Sequence, residues 1–363
     1  MSEWKECTIG ELCSNICSGG TPNRSNDSFY NNGNIPWLNT KEVSFNRIYQ
    51  TENFITELGL KNSAAKWIPQ NTVVVAMYGA TAGKSAIVKI PVTTNQACCN
   101  LTIDGSKADY RFVYYSLFNR YEHLASLANG GAQQNLNAGL IREFKISVPE
   151  LETQTKIADI LSSLDDKIEL NNQINRNLAE QAKSLYTKLF ITEKKGKMGI
   201  LGDLVKVKYG KDHKKLSDGT FPVYGSGGIM RYANQYLYDK ESVLIPRKGT
   251  LNNVIYVNEP FWSVDTMFYT EMKQENIAKY VYLFLSEKNL ESLNAGSAVP
   301  SMTTDILNAM PILIPVADSL EKFEDFAAPI YSKIAENNKE NKKLALLRDS
   351  LLPKLMSGEI NVA

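Results

Sequence analysis

Apolar residues along this chain follow two rhythms, and each rhythm predicts a different kind of element. Short apolar runs that are bounded by glycine- or asparagine-rich turns predict β-strands. These runs are Thr72–Met77, Ala86–Ile90, Lys145–Val148, Ser242–Ile245, Val254–Val257 and Pro311–Ile314. Helical patterns at Tyr110–Ala128 and Ile277–Leu293 lie among them, so we expect mixed α and β structure in both halves of the chain.

The second rhythm is a heptad pattern. The stretch between Pro149 and Gly196 lacks glycine and proline, and its apolar residues recur at alternating steps of four and three. A similar pattern returns near the end of the chain, and both patterns have two asparagines in the middle. This spacing predicts two long helices that share a seam with a polar layer, which fixes register at some cost in stability. The predicted seam residues are Ile157, Leu161, Leu164, Ile168, Asn171, Asn175, Leu178, Leu185, Leu189, Phe323, Ile330, Ile334, Asn337, Asn341, Leu344, Leu351 and Leu355.

The chain also repeats itself. Phe144–Pro149 aligns with Met310–Pro315, and this alignment continues through the helices without a gap. Upstream the offset changes, so that Asn71–Gly79 aligns with Glu241–Gly249, and Asn95 with Asp265. Because the offset changes only outside the helices, we predict a globular part and a helix, each present twice. The predicted boundaries are residues 1–149, 150–192, 193–315 and 316–363.

Antiparallel pairing of the two helices brings every asparagine layer opposite another one. If residue i faces residue 512 − i, Asn171 meets Asn341 and Asn175 meets Asn337. Parallel pairing would align the layers too, but the second globular part would then have to return the chain to its starting end. A simpler alternative has each helix packed on its own domain with the asparagines exposed. We favour the antiparallel pair, which implies a pseudo-two-fold axis.

Several short motifs occur in an order that is found in one known family. They are Trp4–Leu12, Ser18–Pro22, Ile35–Asn39, Pro149–Ile157 and Pro222–Met230. With the two copies and the two heptad helices, they make essentially the whole chain resemble the specificity subunit of type I DNA restriction-modification systems. One motif, at the start of the helix, departs from this pattern in its second copy, Pro315–Glu321.

This resemblance implies a fold and a set of partners. The fold class would be α+β, with two mixed α/β target-recognition domains joined by two long helices in an antiparallel coiled coil. Each domain would read half of an asymmetric, two-part sequence in double-stranded DNA. Two methyltransferase subunits would dock on the coil, and motor-nuclease subunits would assemble around them. The chain itself would be non-catalytic and hold no cofactor or metal, because the methyl donor and ATP belong to the partners.

Charge supports a DNA-binding role only locally. The formal net charge is +1, but a lysine cluster between residues 194 and 215 would suit phosphate contacts. Its simpler interpretation is a solvated linker. Base recognition needs forked or two-ended polar side chains on loops. Candidates in the first copy are Asn23, Arg24, Asn26, Lys41, Tyr78, Lys84, Gln133, Gln134 and Asn135. Candidates in the second copy, lysines of the cluster included, are Lys206, Lys208, Lys211, His213, Lys214, Tyr224, Ser226, Arg231, Arg247, Lys248, Asn252 and Asn253.

Motifs that would indicate an enzyme are incomplete. Gly79–Ser85 is one residue too short for a phosphate-binding loop, and a strand pattern follows it where a helix is required. Asp203, Asp212 and Lys214 could suit a nuclease, but the first copy does not repeat them. Cys98 and Cys99 lie in a strand-like run and are expected to be buried thiols. The alternative to DNA recognition is a structural coiled-coil adaptor whose globular ends bind proteins.

Cellular location follows from the apolar pattern as well. No run of about 18 apolar residues occurs, and the start of the chain lacks an apolar signal core. We therefore expect a cytoplasmic protein with no membrane span.

Overall fold

The chain forms two compact units. The computed structural model describes residues 4–129, 135–293 and 301–362. The first unit contains Met1–Leu170 and Glu340–Ala363, and the second contains Asn171–Lys339. Each unit therefore includes one globular part and a segment of both long helices.

The first unit is built from short strands with helices interspersed among them. Its strands are β1 (Lys5–Thr8), β2 (Cys13–Ser18), β3 (Ile35–Leu38), β4 (Asn46–Ile48), β5 (Asn53–Ile55), β6 (Trp67–Ile68), β7 (Val73–Ala76), β8 (Ser85–Val88), β9 (Val92–Thr94), β10 (Cys98–Ile103) and β11 (Lys145–Val148). Its helices are α1 (Ile9–Leu12), α2 (Glu57–Lys61), α3 (Tyr110–Asn119), α4 (Tyr121–Ser126), α5 (Ala138–Glu143) and the start of α6 (Leu151–Tyr186).

The second unit follows the same plan. Its strands are β12 (Gly196–Ile200), β13 (Val205–Tyr209), β14 (Asp218–Gly225), β15 (Gly228–Ala233), β16 (Ser242–Pro246), β17 (Ile255–Val257), β18 (Trp262–Ser263), β19 (Met267–Met272) and β20 (Pro311–Pro315). Its helices are the end of α6, α7 (Leu201–Leu204), α8 (Ala278–Ser286), α9 (Thr304–Asn308) and α10 (Ala317–Met356) as far as Lys339. A π-helical turn, Thr187–Thr192, extends α6.

Sheet topology confirms the internal duplication. The first unit has sheets ordered β1-β11, β2-β10-β7-β8-β4 and β5-β3-β9-β6, and the second has β12-β20, β13-β19-β16-β17 and β15-β14-β18. Strand for strand, the second set repeats the first, with β4 and β6 as additions in the first unit. A parallel pairing recurs as well, between β3 and β9 in the first unit and between β14 and β18 in the second.

In the first unit, the two long helices run antiparallel. Residues early in α6, such as Ile157 and Leu161, share a buried core with Leu355 near the end of α10. Further along α6, Asp165 forms an ion pair with Arg348. Residue numbers therefore rise along one helix as they fall along the other.

In the second unit the helix segments are antiparallel too, and asparagines face each other. Asn337 donates a hydrogen bond to Asn175 at 2.8 Å, which is the pairing that the 512 − i rule requires. Phe190, next to the seam residue Leu189, lies with its ring centroid 5.6 Å from that of Phe323. Asn171 is 1% exposed and Asn337 is 3% exposed, so these asparagines do not lie on an exposed surface.

The predicted elements match the observed ones closely, with two corrections. All six predicted strand runs are strands, and each begins and ends within two residues of the observed bounds. The helical pattern Tyr110–Ala128 is two helices, because the backbone of Arg120 (φ −104°, ψ 19°) leaves the helical region. The pattern Ile277–Leu293 is α8 followed by a separate 3₁₀ turn, Glu291–Leu293.

Candidate nucleic-acid interface

Hydrogen bonds join loops from distant parts of the first unit into one surface, which we call the first loop face. Backbone bonds link Gly20 to Thr94, Asn95 to Leu38, Met77 to Ala97, and Leu136 to Met77. The Thr81 hydroxyl adds a bond to the carbonyl of Thr40 at 2.9 Å. The first loop face therefore combines residues 20–30, 38–42, 77–84, 94–97 and 135–136.

The second unit builds an equivalent surface, the second loop face, with the same bonds. Backbone bonds link Lys211 to Ser263, Val264 to Tyr224, Arg247 to Thr266, and Met302 to Arg247. The Asn253 side chain donates to the carbonyl of Ser226 at 2.7 Å, in the place of the Thr81 bond. Residues 211–217, 225–228, 247–253, 263–266 and 301–302 make up this face.

These bonds also correct one alignment. The backbone N–H of Asn95 donates to the carbonyl of Leu38 in β3, as that of Val264 donates to the carbonyl of Tyr224 in β14. Val264 is therefore the counterpart of Asn95, and Asp265 is the counterpart of Gln96. The sequence comparison paired Asn95 with Asp265 because single-sequence alignment cannot detect a shift of one residue in a loop.

An indole holds the first loop of each face. Trp37 donates from Nε1 to the carbonyl of Gly20 at 3.0 Å, and Trp262 donates to the carbonyl of Lys211 at 2.9 Å. The two tryptophans come from different strands, β3 and β18, yet they satisfy equivalent carbonyls. Each indole therefore holds the backbone of its loop by a hydrogen bond and does not use the loop's polar side chains.

Candidate residues of the first copy gather on the first loop face. Asn23 and Asn26 shape the exposed turn there, since each side chain accepts hydrogen bonds from the serine two residues later. Arg24 and Lys41 are exposed, and the hydrogen bond from Lys41 to Glu52 raises the pKa of Lys41. The remaining described candidates on this face are Tyr78, Lys84 and Asn135. Gln133 and Gln134 lie outside the described residues.

Candidates of the second copy divide into two groups. On the second loop face or at its edge lie Lys211, His213, Lys214, Tyr224, Ser226, Arg247, Lys248, Asn252 and Asn253. Lys206 and Lys208 lie on β13, and Arg231 lies on β15, outside the loops. Arg231 instead donates to the carbonyl of Leu216 at 2.8 Å and holds the 211–217 loop.

Several of these side chains already have internal partners. Tyr224 is 8% exposed, and Asn252 accepts hydrogen bonds from the backbone of Leu290 and Glu291. The Arg247 guanidinium lies 5.5 Å from the ring centroid of Tyr209, a cation–π contact that orients it. In contrast, Nδ1 of His213 is buried without a hydrogen-bond partner among the described residues.

The sequence analysis overlooked three asparagines of the first unit, Asn39, Asn53 and Asn95. They line a cleft of about 610 Å³ together with Arg24 and Lys41. Asn39 does lie in a motif that carried the resemblance, Ile35–Asn39, and that was the signal available. What brings the three together is the pairing of β3 with both β5 and β9, which the sequence alone does not reveal.

The described residues contain neither a metal-ligand cluster nor an activated thiol at the buried cysteines. Within residues 4–129, 135–293 and 301–362, no group of three His, Cys, Asp or Glu side chains could hold a metal ion. Burial raises the pKa of Cys99 to about 12, so its thiol stays protonated and unreactive near neutral pH. The Gly79–Ser85 loop leads into strand β8, as the sequence predicts. Over the same ranges, no helix is both long and apolar enough to cross a lipid bilayer.

Two equivalent units with equivalent loop faces define an internally duplicated protein. A family model described as "Type I restriction modification DNA specificity domain" matches residues 1–180 and 194–345. The chain belongs to this family.

Individual relatives agree with this assignment. The specificity subunit of the type I restriction enzyme MjaIX of Methanocaldococcus jannaschii is 25% identical over 422 residues, which cover 99% of this chain and 97% of the relative. The EcoprrI specificity subunit of Escherichia coli is 24% identical over 344 residues, covering 85% of both chains. Among solved structures, the crystal structure of a type I restriction-modification S subunit from M. genitalium shares the fold. Its TM-score is 0.62 at 21% identity, covering 98% of this chain and 96% of that one.

Proposed function

We propose that this chain is the DNA-recognition subunit of a type I restriction-modification complex. Each loop face reads one half of an asymmetric, two-part target in double-stranded DNA. The observation that carries this proposal is the pair of faces with the same backbone bonds and different side chains. A common frame with different contact residues is what recognition of two dissimilar half-sites requires.

The proposed partners follow from the family. Two methyltransferase subunits dock along α6 and α10, and motor-nuclease subunits assemble around them in the cytoplasm. The chain performs no chemistry itself; it places the methyltransferases on the target. The four-part division at residues 149, 192 and 315 remains part of this proposal.

Salt dependence of DNA binding tests the proposal against the coiled-coil adaptor. Phosphate contacts release counterions, so the logarithm of the binding constant falls with the logarithm of salt concentration, with a slope of about −0.9 per contact. We expect a steep slope for the full chain, alone and co-expressed with methyltransferase subunits of its host. Binding that is absent, or unchanged by salt, would favour the adaptor.

A matched pair of variants locates the contact. Changing Lys211 and Lys214 on the second loop face to glutamine should reduce the salt slope by about 1 to 2. Changing Lys322 and Lys333 on α10 to glutamine removes the same charge away from the face and should leave the slope as it is. Equal effects of both double variants would contradict DNA binding by the loop face.

A further inference from the structure

A cleft of the first loop face is lined by the side-chain amides of Asn39, Asn53 and Asn95. It lies between the exposed turn at residues 23–30, the end of β3, the start of β5 and the end of β9. Its lining residues are Arg24, Asp27, Tyr30, Trp37, Asn39, Thr40, Lys41, Asn53 and Asn95. We propose that this cleft is the specificity-determining site of the first half-target, and that Asn39 and Asn53 recognise an A·T base pair there. This inference rests on the proposed function.

The amides of Asn39 and Asn95 hold each other in a fixed orientation. Nδ2 of Asn95 donates to Oδ1 of Asn39 at 3.3 Å, and Oδ1 of Asn95 accepts from the backbone of Ala97 at 3.1 Å. Asn95 is 9% exposed, so it positions Asn39 from below. Asn39 is half-buried, and its Nδ2 makes no hydrogen bond within the described residues, so this donor is available to an external partner.

Charge in the cleft favours a base over a phosphate. Arg24 and Lys41 bring positive charge, but Asp27 is also part of the lining, and Lys41 forms an ion pair with Glu52. The positive and negative charges therefore balance, whereas a phosphate site needs a clear positive excess. The Nδ2 donor of Asn39 instead matches N7 of adenine in the major groove, and the amide of Asn53 in the same cleft supplies an acceptor for N6.

The second unit shows that the amides are not required by the fold. Gly225, the last residue of β14, follows Tyr224 as Asn39 follows Leu38, and Val264 takes the place of Asn95. A side chain at Gly225 would come within 2.4 Å of the sulfur of Met230, so the methionine fills this position. The same frame therefore carries an amide pair in one unit and apolar groups in the other, as expected if these positions encode different half-sites.

The test is a map of methylated adenines in cells that express the chain with its methyltransferase subunits. The variants are Asn39→Asp, which keeps the acceptor and removes the donor, and Asn53→Ala, which removes a half-buried amide. We expect either variant to lose about 10- to 100-fold of its preference at one A·T pair of the first half-target. The second half-target should not change.

Controls separate a local effect from damage to the fold. Asn15→Ala removes an exposed asparagine on β2 of the same unit and should leave the target as it is. Unchanged targets for both test variants would overturn the inference, as would a uniform loss at all sites by a variant that melts like the parent. If Asn39→Asp fails to fold, Asn53→Ala decides alone. Failure of the parent chain to direct methylation to any two-part target would overturn the proposed function instead.

Discussion

Arg348 is a charged residue at a heptad position where the pattern predicts an apolar one. It falls between Leu344 and Leu351 in the heptad sequence, where an apolar side chain is expected. In the first unit, Arg348 donates to Oδ1 of Asp165 at 2.7 Å, and the hydroxyl of Tyr115 donates to Oδ2 of the same carboxylate at 2.6 Å. A single sequence marks Arg348 as irregular but cannot supply its partner, since Asp165 lies on the other helix.

Removing Arg348 should therefore lower the unfolding free energy more than removing an exposed charge would. Arg348→Met keeps the length of the side chain and leaves the charge of Asp165 buried without its cation. We expect a loss of about 3 kcal/mol in the unfolding free energy of the first unit, measured by denaturant titration. The double change Arg348→Met with Asp165→Leu should recover most of it. A loss below about 1 kcal/mol for the single variant would assign the pair to a solvent-screened contact.

Among helices and strands, the predictions were correct where the spacing of apolar residues directly indicates which side of the element is buried. The heptad seam predicted α6 and α10 because the apolar residues of a helix recur on the face that packs against its partner helix. Strand β2, Cys13–Ser18, was missed because it lacks an apolar run and is held by pairing with β10. The π-helical turn Thr187–Thr192 was missed as well, because a heptad count assumes a constant helical period.

The asparagine layer gives a prediction at this scale. Changing Asn175 and Asn337 together to leucine replaces a hydrogen-bonded amide pair by apolar contact. We expect the melting temperature to rise by a few degrees while the helix register becomes less specific. Disulfide trapping between cysteines introduced on α6 and α10 would detect alternative registers. Leucine at the exposed Asn177 serves as the control, and a single trapped register in the double variant would contradict the prediction.

For the whole molecule, the duplication could be predicted but the faces could not. The duplication is visible when the sequence is aligned with itself, without knowledge of the structure, and it predicts the repeated order of globular part and helix. Each face combines five loops from distant parts of its unit, and a one-residue error, Asn95 against Asp265, was enough to misplace its counterpart. The candidate list accordingly included Arg24 and Lys41 at the cleft and missed Asn39 between them.

Exchanging the first globular part tests whether the two units recognise their half-targets independently. Replacing residues 1–149 by those of another family member should change the first half of the methylated target and leave the second half unchanged. The structure adds a condition, because Arg47 contacts Asp166 and Arg111 contacts Asp159 on α6. A chimera that also exchanges residues 150–170 and 340–363 keeps these ion pairs matched and should melt at a higher temperature than the smaller one. Methylation mapping of both chimeras decides the matter: a change in both halves of the target would mean that the two units do not read independently.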